Sequence, residues 1–281
     1  MIGIIGGTGL YQMDELQVTG VREVTTPFGP PSSPIVVGVL QGRNVAFLAR
    51  HGLHHDLLPS EINYRGNIWA LKSLGVRTIL SVSAVGSLRD EIRPGDLAVP
   101  TQFLDFTKGL RASTFFGRGV VAHVSMASPV CGSTAALVAK AAQALELTLH
   151  ENKTHAVIEG PRFGTRAESR FLRNCGADLV GMTTVPEVFL AVEAQLGYCM
   201  IGVATDYDCW QDDPQQHVSA VDVAKLFRGN LERVQQLLAQ VVVDYQEDET
   251  RACRRSLSGA ITTARERMTA EQRGLVSFLA Q

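Results

Sequence analysis

Residues 203–210 read VATDYDCW and set two carboxylates, Asp206 and Asp208, at the close of an apolar run that begins at Tyr198. On an extended chain, residues two apart point to the same side, so this spacing predicts that both acids face one ligand. Two carboxyl groups in one buried site titrate together. One of them is pushed toward a higher pKa and becomes a proton donor near neutral pH. The chemistry on offer is general acid catalysis, in which one oxygen accepts a hydrogen bond while another delivers a proton. Taken alone, the pair also suits a structural turn at a strand end.

Several other apolar runs end in groups that suit an anion. Residues 2–9, IGIIGGTG, run from a strand pattern into a glycine-rich turn that carries Thr8. The glycines do not fit G-x-G-x-x-G or G-x-x-x-x-G-K-[ST], so a dinucleotide or nucleoside-triphosphate loop is not expected. What remains is either a tight turn or a backbone nest with the Thr8 hydroxyl as an added donor. Arg50 and His51 close the run before Gly52, and Arg50 has the fork to grip a phosphate with two parallel bonds while His51 adds a donor. His51, His54 and His55 lack the spacing and carboxylate partner of a metal site, and none is expected. The run 78–86 ends in small residues, with a hydroxyl at Ser83 and close backbone approach at Ala84. Thr183 stands at a helix start, where an anion is favoured, and Thr184 reads as a cap. Phe163 can stack on a flat ring or fill a core, and Met182 can line a sugar face or do the same. Strand ends followed by anion-friendly groups fit one site at an edge of an α/β sheet.

The elements that must position these residues are legible as alternating patterns. Strand-like runs occupy 2–5, 35–40, 45–49, 78–82, 96–99, 154–158, 178–180 and 198–204, and helical patterns occupy 60–74, 129–147, 166–175, 185–196 and 219–241. The mixture predicts an α/β protein with a substantially buried mixed sheet. The length of 281 residues, with 45% apolar and 19% charged residues, supplies a large core. A break in pattern after Val243 predicts a main domain over 1–243 and a helical segment over 244–281 that packs on the same domain or on a neighbouring subunit. The net charge of −2, without a basic block, argues against nucleic acid as a partner. Five cysteines, an odd number with no C-x-x-C pair, read as reduced thiols, mostly buried. Residues 2–5 lack the basic flank of a signal peptide, and no apolar run reaches membrane-spanning length, so a cytoplasmic location without membrane contact is expected.

The motifs GGTGLY (6–11), RHG (50–52), PSEINYRGNIWALKSLG (59–75), GSLRDEIRPGD (86–96), EGPRF (159–163), MTTVPEV (182–188) and ATDYDCW (204–210) occur in the order found in methylthioadenosine phosphorylases. Over about residues 2–241 the chain resembles that family, within the trimeric purine nucleoside phosphorylases. The resemblance implies a single domain with a mixed, distorted central sheet flanked by helices, and a homotrimer with active sites near its interfaces. It implies cleavage of 5′-methylthioadenosine by inorganic phosphate to adenine and 5-methylthioribose 1-phosphate in methionine and purine salvage. Phosphate is a co-substrate, and no metal or organic cofactor is implied. Carried onto this chain, Thr8, Arg50, His51, Ser83, Ala84 and Thr183 surround phosphate, Phe163 and Met182 contact base and ribose, and Asp206 and Asp208 face the base. His123 takes the position that reaches a neighbouring subunit's 5′ pocket.

Within that resemblance the carboxylate pair gains a task. Adenine is a poor leaving group as an anion, and a proton or hydrogen bond at N7 from Asp206 stabilises it while Asp208 assists at the N6 amine. Related enzymes for 6-oxopurines carry Asn where Asp206 stands, which speaks against the alternative of a broader or 6-oxopurine preference such as methylthioinosine. Two departures bear on specificity. Gly164 replaces the Ser found in animal enzymes, and Ser83 replaces a common Thr. Beyond Val243 the correspondence fades, and residues 275–279 stand as a candidate for the pocket lid. A hydrolase and a non-catalytic nucleoside sensor are the readings from other classes; the anion-binding groups weigh against the first, and their combination with an acid against the second.

Overall fold

The computed structural model describes residues 1–212 and 218–281, without the side chains of Thr8 and Tyr11. Its strands are β1 (Ile2–Gly6), β2 (Leu16–Arg22), β3 (Ile35–Leu40), β4 (Arg43–Ala49), β5 (Thr78–Ser87), β6 (Leu97–Phe106), β7 (Leu149–Ile158), β8 (Leu179–Gly181) and β9 (Gly197–Asp206). Its α-helices are α1 (Tyr64–Ser73), α2 (Gly132–Ala144), α3 (Arg166–Asn174), α4 (Thr184–Glu193), α5 (Ala220–Gly229), α6 (Leu231–Asp244) and α7 (Ala270–Leu279). Among the described residues the strands form one sheet, ordered β2-β3-β4-β1-β5-β8-β7-β6-β9, in which β9 also pairs with β5. That last pairing closes β5, β8, β7, β6 and β9 on themselves, and this closure is the distortion of the sheet.

Side-chain alternation builds the layers. Ile4, Val45, Phe47 and Leu80 face a core completed by Val138, Val234, Leu237, Leu238 and Val241 of α2 and α6. Their neighbours Ile5, Ala46, Leu48 and Ile79 face the other core, with Ile68 and Leu71 of α1 and Val188 and Leu190 of α4. All ten residues of β9 are buried, which requires cover on both faces and explains its continuous apolar sequence.

Three expectations need correction. The edge strand β2 escapes the sequence pattern because most of its residues are exposed and its alternation is blurred. The helix expected over 219–241 is two helices. Gly229 ends the first, and the Asn230 amide donates to the Leu226 carbonyl at 2.9 Å, competing with helix continuation. The segment after Asp244 is mostly irregular, with one α-helix, α7, and short 3₁₀ turns at Ala252–Arg255 and Arg265–Arg267. Leu257, Met268 and Leu279 from this segment are buried in the core beside α1 and α4, and Phe278 stacks on Trp69 at 4.0 Å. Of the cysteines, Cys131, Cys199 and Cys209 are buried, Cys175 is exposed, and none is in a disulfide.

Arg254 fastens the C-terminal segment. It is buried, bonds to Glu247 Oε1 at 2.5 Å and Thr78 Oγ1 at 3.2 Å, and donates to the carbonyl oxygens of Arg77 and Gln195. Removing a buried charge partner costs about 3–5 kcal/mol, and the partial exposure of Glu247 lowers this to roughly 2 kcal/mol. Arg254→Ala is expected to lower the urea midpoint by that equivalent; an unchanged midpoint would show that the segment docks without it.

Candidate active site

A gap in the ladder opens the site. β1 pairs with β5 only as far as Ser81, and β8 joins the same strand from Gly86. Between those points one edge of β5, from Val82 to Val85, lacks a strand partner, and a cavity of about 830 Å³ opens there. Ser83 and Ala84 therefore sit within a strand rather than at its end, and they reach the cavity because the neighbouring strand has stopped. β4 and β9 end beside the same gap, at Ala49 and Asp206.

Arg50 forms the floor. It is 2% exposed, and all five of its N–H groups are spoken for. Nε and Nη2 pair with Glu187 at 2.6 and 2.9 Å, Nη2 also meets Ser81 Oγ at 2.6 Å, and Nη1 donates to Val82 O and Ser83 Oγ at 3.1 and 3.2 Å. Burial disfavours the guanidinium charge, but Glu187 more than restores it and its pKa stands above the ordinary value. The two-pronged grip expected for phosphate is thus given to Glu187. Arg50 donates to Ser83 Oγ, so the Ser83 proton points away from it, toward Thr183 Oγ1 or a group in the cavity.

His51 also departs from its expected role as a donor. Its Nδ1–H donates to the Leu57 carbonyl at 2.9 Å, and burial, aided by the Arg50 charge, depresses the ring pKa to about 4. The neutral ring then offers a lone pair at Nε2. Thr183 is the N-cap of α4, but its side chain caps nothing and lies 3.4 Å from Ser83 Oγ. Thr184, expected as the cap, turns inward to Met200 Sδ at 3.3 Å. Two hydroxyls therefore converge on the cavity, where they can donate to an anion. Thr8 carries no described side chain.

The carboxyl pair lies in the same cavity, although not through strand alternation. Asp206 is the last residue of β9, and Asp208 follows in a turn with φ of 51°, a conformation Asp tolerates better than most residues. Asp206 Oδ1 accepts from the Asp208 N–H and Oδ2 from the Thr205 hydroxyl, each at 2.7 Å. Burial, reinforced by the Asp208 charge, outweighs those bonds and lifts the Asp206 pKa to about 6. Burial raises Asp208 as well. The Ser169 hydroxyl opposes that rise from nearby but outside hydrogen-bonding geometry, and Asp208 Oδ2 has no hydrogen-bond partner.

Phe163, 37% exposed, and Met182 line the cavity. Two contributors were not anticipated. Val223, Ala224 and Phe227 of α5 form an apolar wall; the helix was visible in the sequence, but which side its apolar stripe covered was not. Arg111 is buried and ties the two loops of the site, donating to Glu159 Oε1 and to the carbonyls of Glu159, Met182 and Val185 at 2.6–3.0 Å. It belongs to no motif that stood out in the sequence. Residues 275–279, expected as a lid, pack on α1 and do not line the cavity, and His123 is exposed and outside it. Among the described residues no cluster of His, Cys, Asp or Glu suits a metal ion.

The phosphorylase superfamily model matches residues 1–246. An S-methyl-5′-thioadenosine phosphorylase from Thermofilum pendens is 49% identical over 260 residues, which cover 92% of this chain and 98% of that one. The chain belongs to the S-methyl-5′-thioadenosine phosphorylases. The crystal structure of a methylthioadenosine phosphorylase from an antarctic soil metagenomic library superposes with a TM-score of 0.91 at 45% identity, covering 99% of this chain and 98% of the other. A methylthioadenosine phosphorylase from Schistosoma mansoni, solved in complex with adenine, superposes with a TM-score of 0.88 at 38% identity, covering 94% and 99%. Membership makes the chain a pentosyltransferase that binds a small nucleoside, with the nucleoside phosphorylase fold in a single domain. Among the described residues no helix is long and apolar enough to cross a membrane.

The pKa of Asp206 makes stability depend on pH in this phosphorylase. Its ordinary value is 3.8 and its folded value about 6, so between these pH values the folded chain binds more proton than the unfolded chain. The contribution to stability is complete below pH 3.8 and is lost as pH rises through 6, amounting to about 3 kcal/mol. An amide cannot titrate, so Asp206→Asn is expected to gain on the parent by up to that amount between pH 4 and pH 7.5. His51 contributes with opposite sign to both proteins and cancels in the difference. Urea unfolding of both at the two pH values checks this, and a constant offset would contradict a raised Asp206 pKa.

Proposed function

We propose that this enzyme uses inorganic phosphate to cleave the N-glycosidic bond of 5′-methylthioadenosine, releasing adenine and 5-methylthioribose 1-phosphate for purine and methionine salvage. The observation that carries the reading is Asp206, a buried carboxyl titrating near pH 6 in the cavity that also holds the converging hydroxyls of Ser83 and Thr183.

In this reading Asp206, protonated, donates to purine N7, and the Asp208 carboxylate, which lines the same cavity, accepts from the N6 amine. As the glycosidic bond breaks, its electron pair moves onto the base and the sugar takes on oxocarbenium character. Phosphate attacks C1′ from the opposite face. Ser83 and Thr183 donate to its oxygens, and Ala84 lets it approach the open edge of β5. His51 Nε2 accepts the hydrogen of a protonated phosphate oxygen. Arg50 acts from beneath, orienting Ser83 rather than clasping the anion itself. The protein supplies the proton and positions the nucleophile, so the reaction calls for no metal or organic cofactor. Phe163 stacks on the base, Met182 covers the ribose, and the apolar wall of α5 receives the methylthio group. The exposed position of His123 outside its own cavity supports a role in a neighbouring copy's 5′ pocket within a homotrimer.

Loss of a general acid lowers turnover about 10²–10⁴-fold, and Asp206→Ala is expected to lose adenine release on that scale while keeping its fold. Asp206→Asn presents an amide N–H to a 6-oxo group, so its kcat/KM ratio of 5′-methylthioinosine to 5′-methylthioadenosine is expected to rise. Near-normal turnover by a folded Asp206→Ala, or an unchanged ratio in Asp206→Asn, would remove Asp206 from the base edge.

A further inference from the structure

A second cavity, about 430 Å³ in volume, adjoins the first. The two share Ile158, Gly164, Val180 and Asp208 as wall residues, so the partition between them is one residue thick at those points. Its apolar walls come from Phe106, Leu172 and Phe171, and its rim carries Lys108, Glu159, Arg162 and Glu168, of which Arg162 and Glu168 pair at 2.7 Å and Glu159 pairs with Arg111. Gly164 is the thin place. Its backbone has no positive φ, so the conformation does not demand glycine. A Cβ there would stand 3.7 Å from Asp208 Oδ2 and 4.0 Å from Glu168 Cβ, within the partition itself. Asp208, 4% exposed, keeps Oδ2 buried and without a hydrogen bond at the same spot, near the Ser169 hydroxyl, which is also buried and unpaired.

We propose that the missing side chain at Gly164 opens the base site into this second chamber, and that the enzyme accepts adenine nucleosides bearing one small alkyl group on N6. The proposal rests on the reading in which Asp208 faces the exocyclic amine. A monoalkylated N6 keeps one N–H for the Asp208 carboxylate, while the alkyl group passes Gly164 into the second space, which has room for several carbons. The bond broken and the bond formed are those of the parent reaction, and the leaving group is the N6-alkyladenine.

The test compares kcat/KM for 5′-methylthioadenosine and its N6-ethyl derivative in the full-length enzyme and in Gly164→Ser. The ratio of alkylated to parent substrate is expected to lie within about tenfold of unity in the parent enzyme and to fall at least about tenfold in the variant, because the hydroxymethyl group fills the passage. A second measurement needs no variant: N6-ethyladenine is expected to inhibit as a product within about tenfold of adenine. If the parent nucleoside is cleaved but both alkylated compounds are more than about a hundredfold worse, the chamber is closed to N6 and the proposal fails while the base-site reading stands. An unchanged ratio in a folded Gly164→Ser also overturns it. If neither nucleoside is cleaved, the base-site reading falls and takes the proposal with it.

Discussion

The site depends on one buried ion pair. Arg50 at the end of β4 and Glu187 on α4 are both essentially inaccessible, and between them they engage Ser81, Val82 and Ser83 on β5 and the Tyr198 hydroxyl on β9. Neither charge would be tolerated alone: stripping one partner from such a pair costs about 3–5 kcal/mol. Together they bind three strands and a helix at the point where the sheet is interrupted. The Ser83 hydroxyl and the floor of the cavity take their positions from this contact. The pair is structural in its bonds and functional in what it orients.

The interruption itself follows from strand lengths. β1 is short and β5 is long, so the edge of β5 is left open before β8 takes it up in the antiparallel sense. Closure of β9 onto β5 then brings Asp206 to the same place. A low-dielectric setting raises the Asp206 pKa and depresses that of His51, which produces a neutral acid and a neutral base within one cavity. That opposition of protonation states comes from burial, with no exceptional contact required.

Much of this was visible in the chain. The buried strands announced themselves as apolar runs, and Asp206, Ser83, Ala84, Thr183, Phe163 and Met182 all line one cavity, although Ser83 and Ala84 do so from mid-strand. Sequence spacing failed where tertiary contacts overrule it. Arg50 lines the cavity as expected, but its partner Glu187, far along the chain, could not be seen. The strand rule brought Asp206 and Asp208 together for the wrong reason, since Asp208 lies in a left-handed turn. Arg111 gave no local signal, because four of its acceptors are distant residues or their carbonyls. The lid expected at 275–279 belongs to the core, and the apolar stripe of α5 supplies the cavity wall in its place.

The central claim is that one cavity joins an anion site to an acid at the base. Adenine release from 5′-methylthioadenosine, followed with and without inorganic phosphate, tests it most directly. The account predicts release that requires phosphate and saturates with it, with 5-methylthioribose 1-phosphate formed in equal amount. Release at the same rate without phosphate, yielding the free sugar, would mean that water is the nucleophile and that Ser83, Thr183 and His51 do not form an anion site.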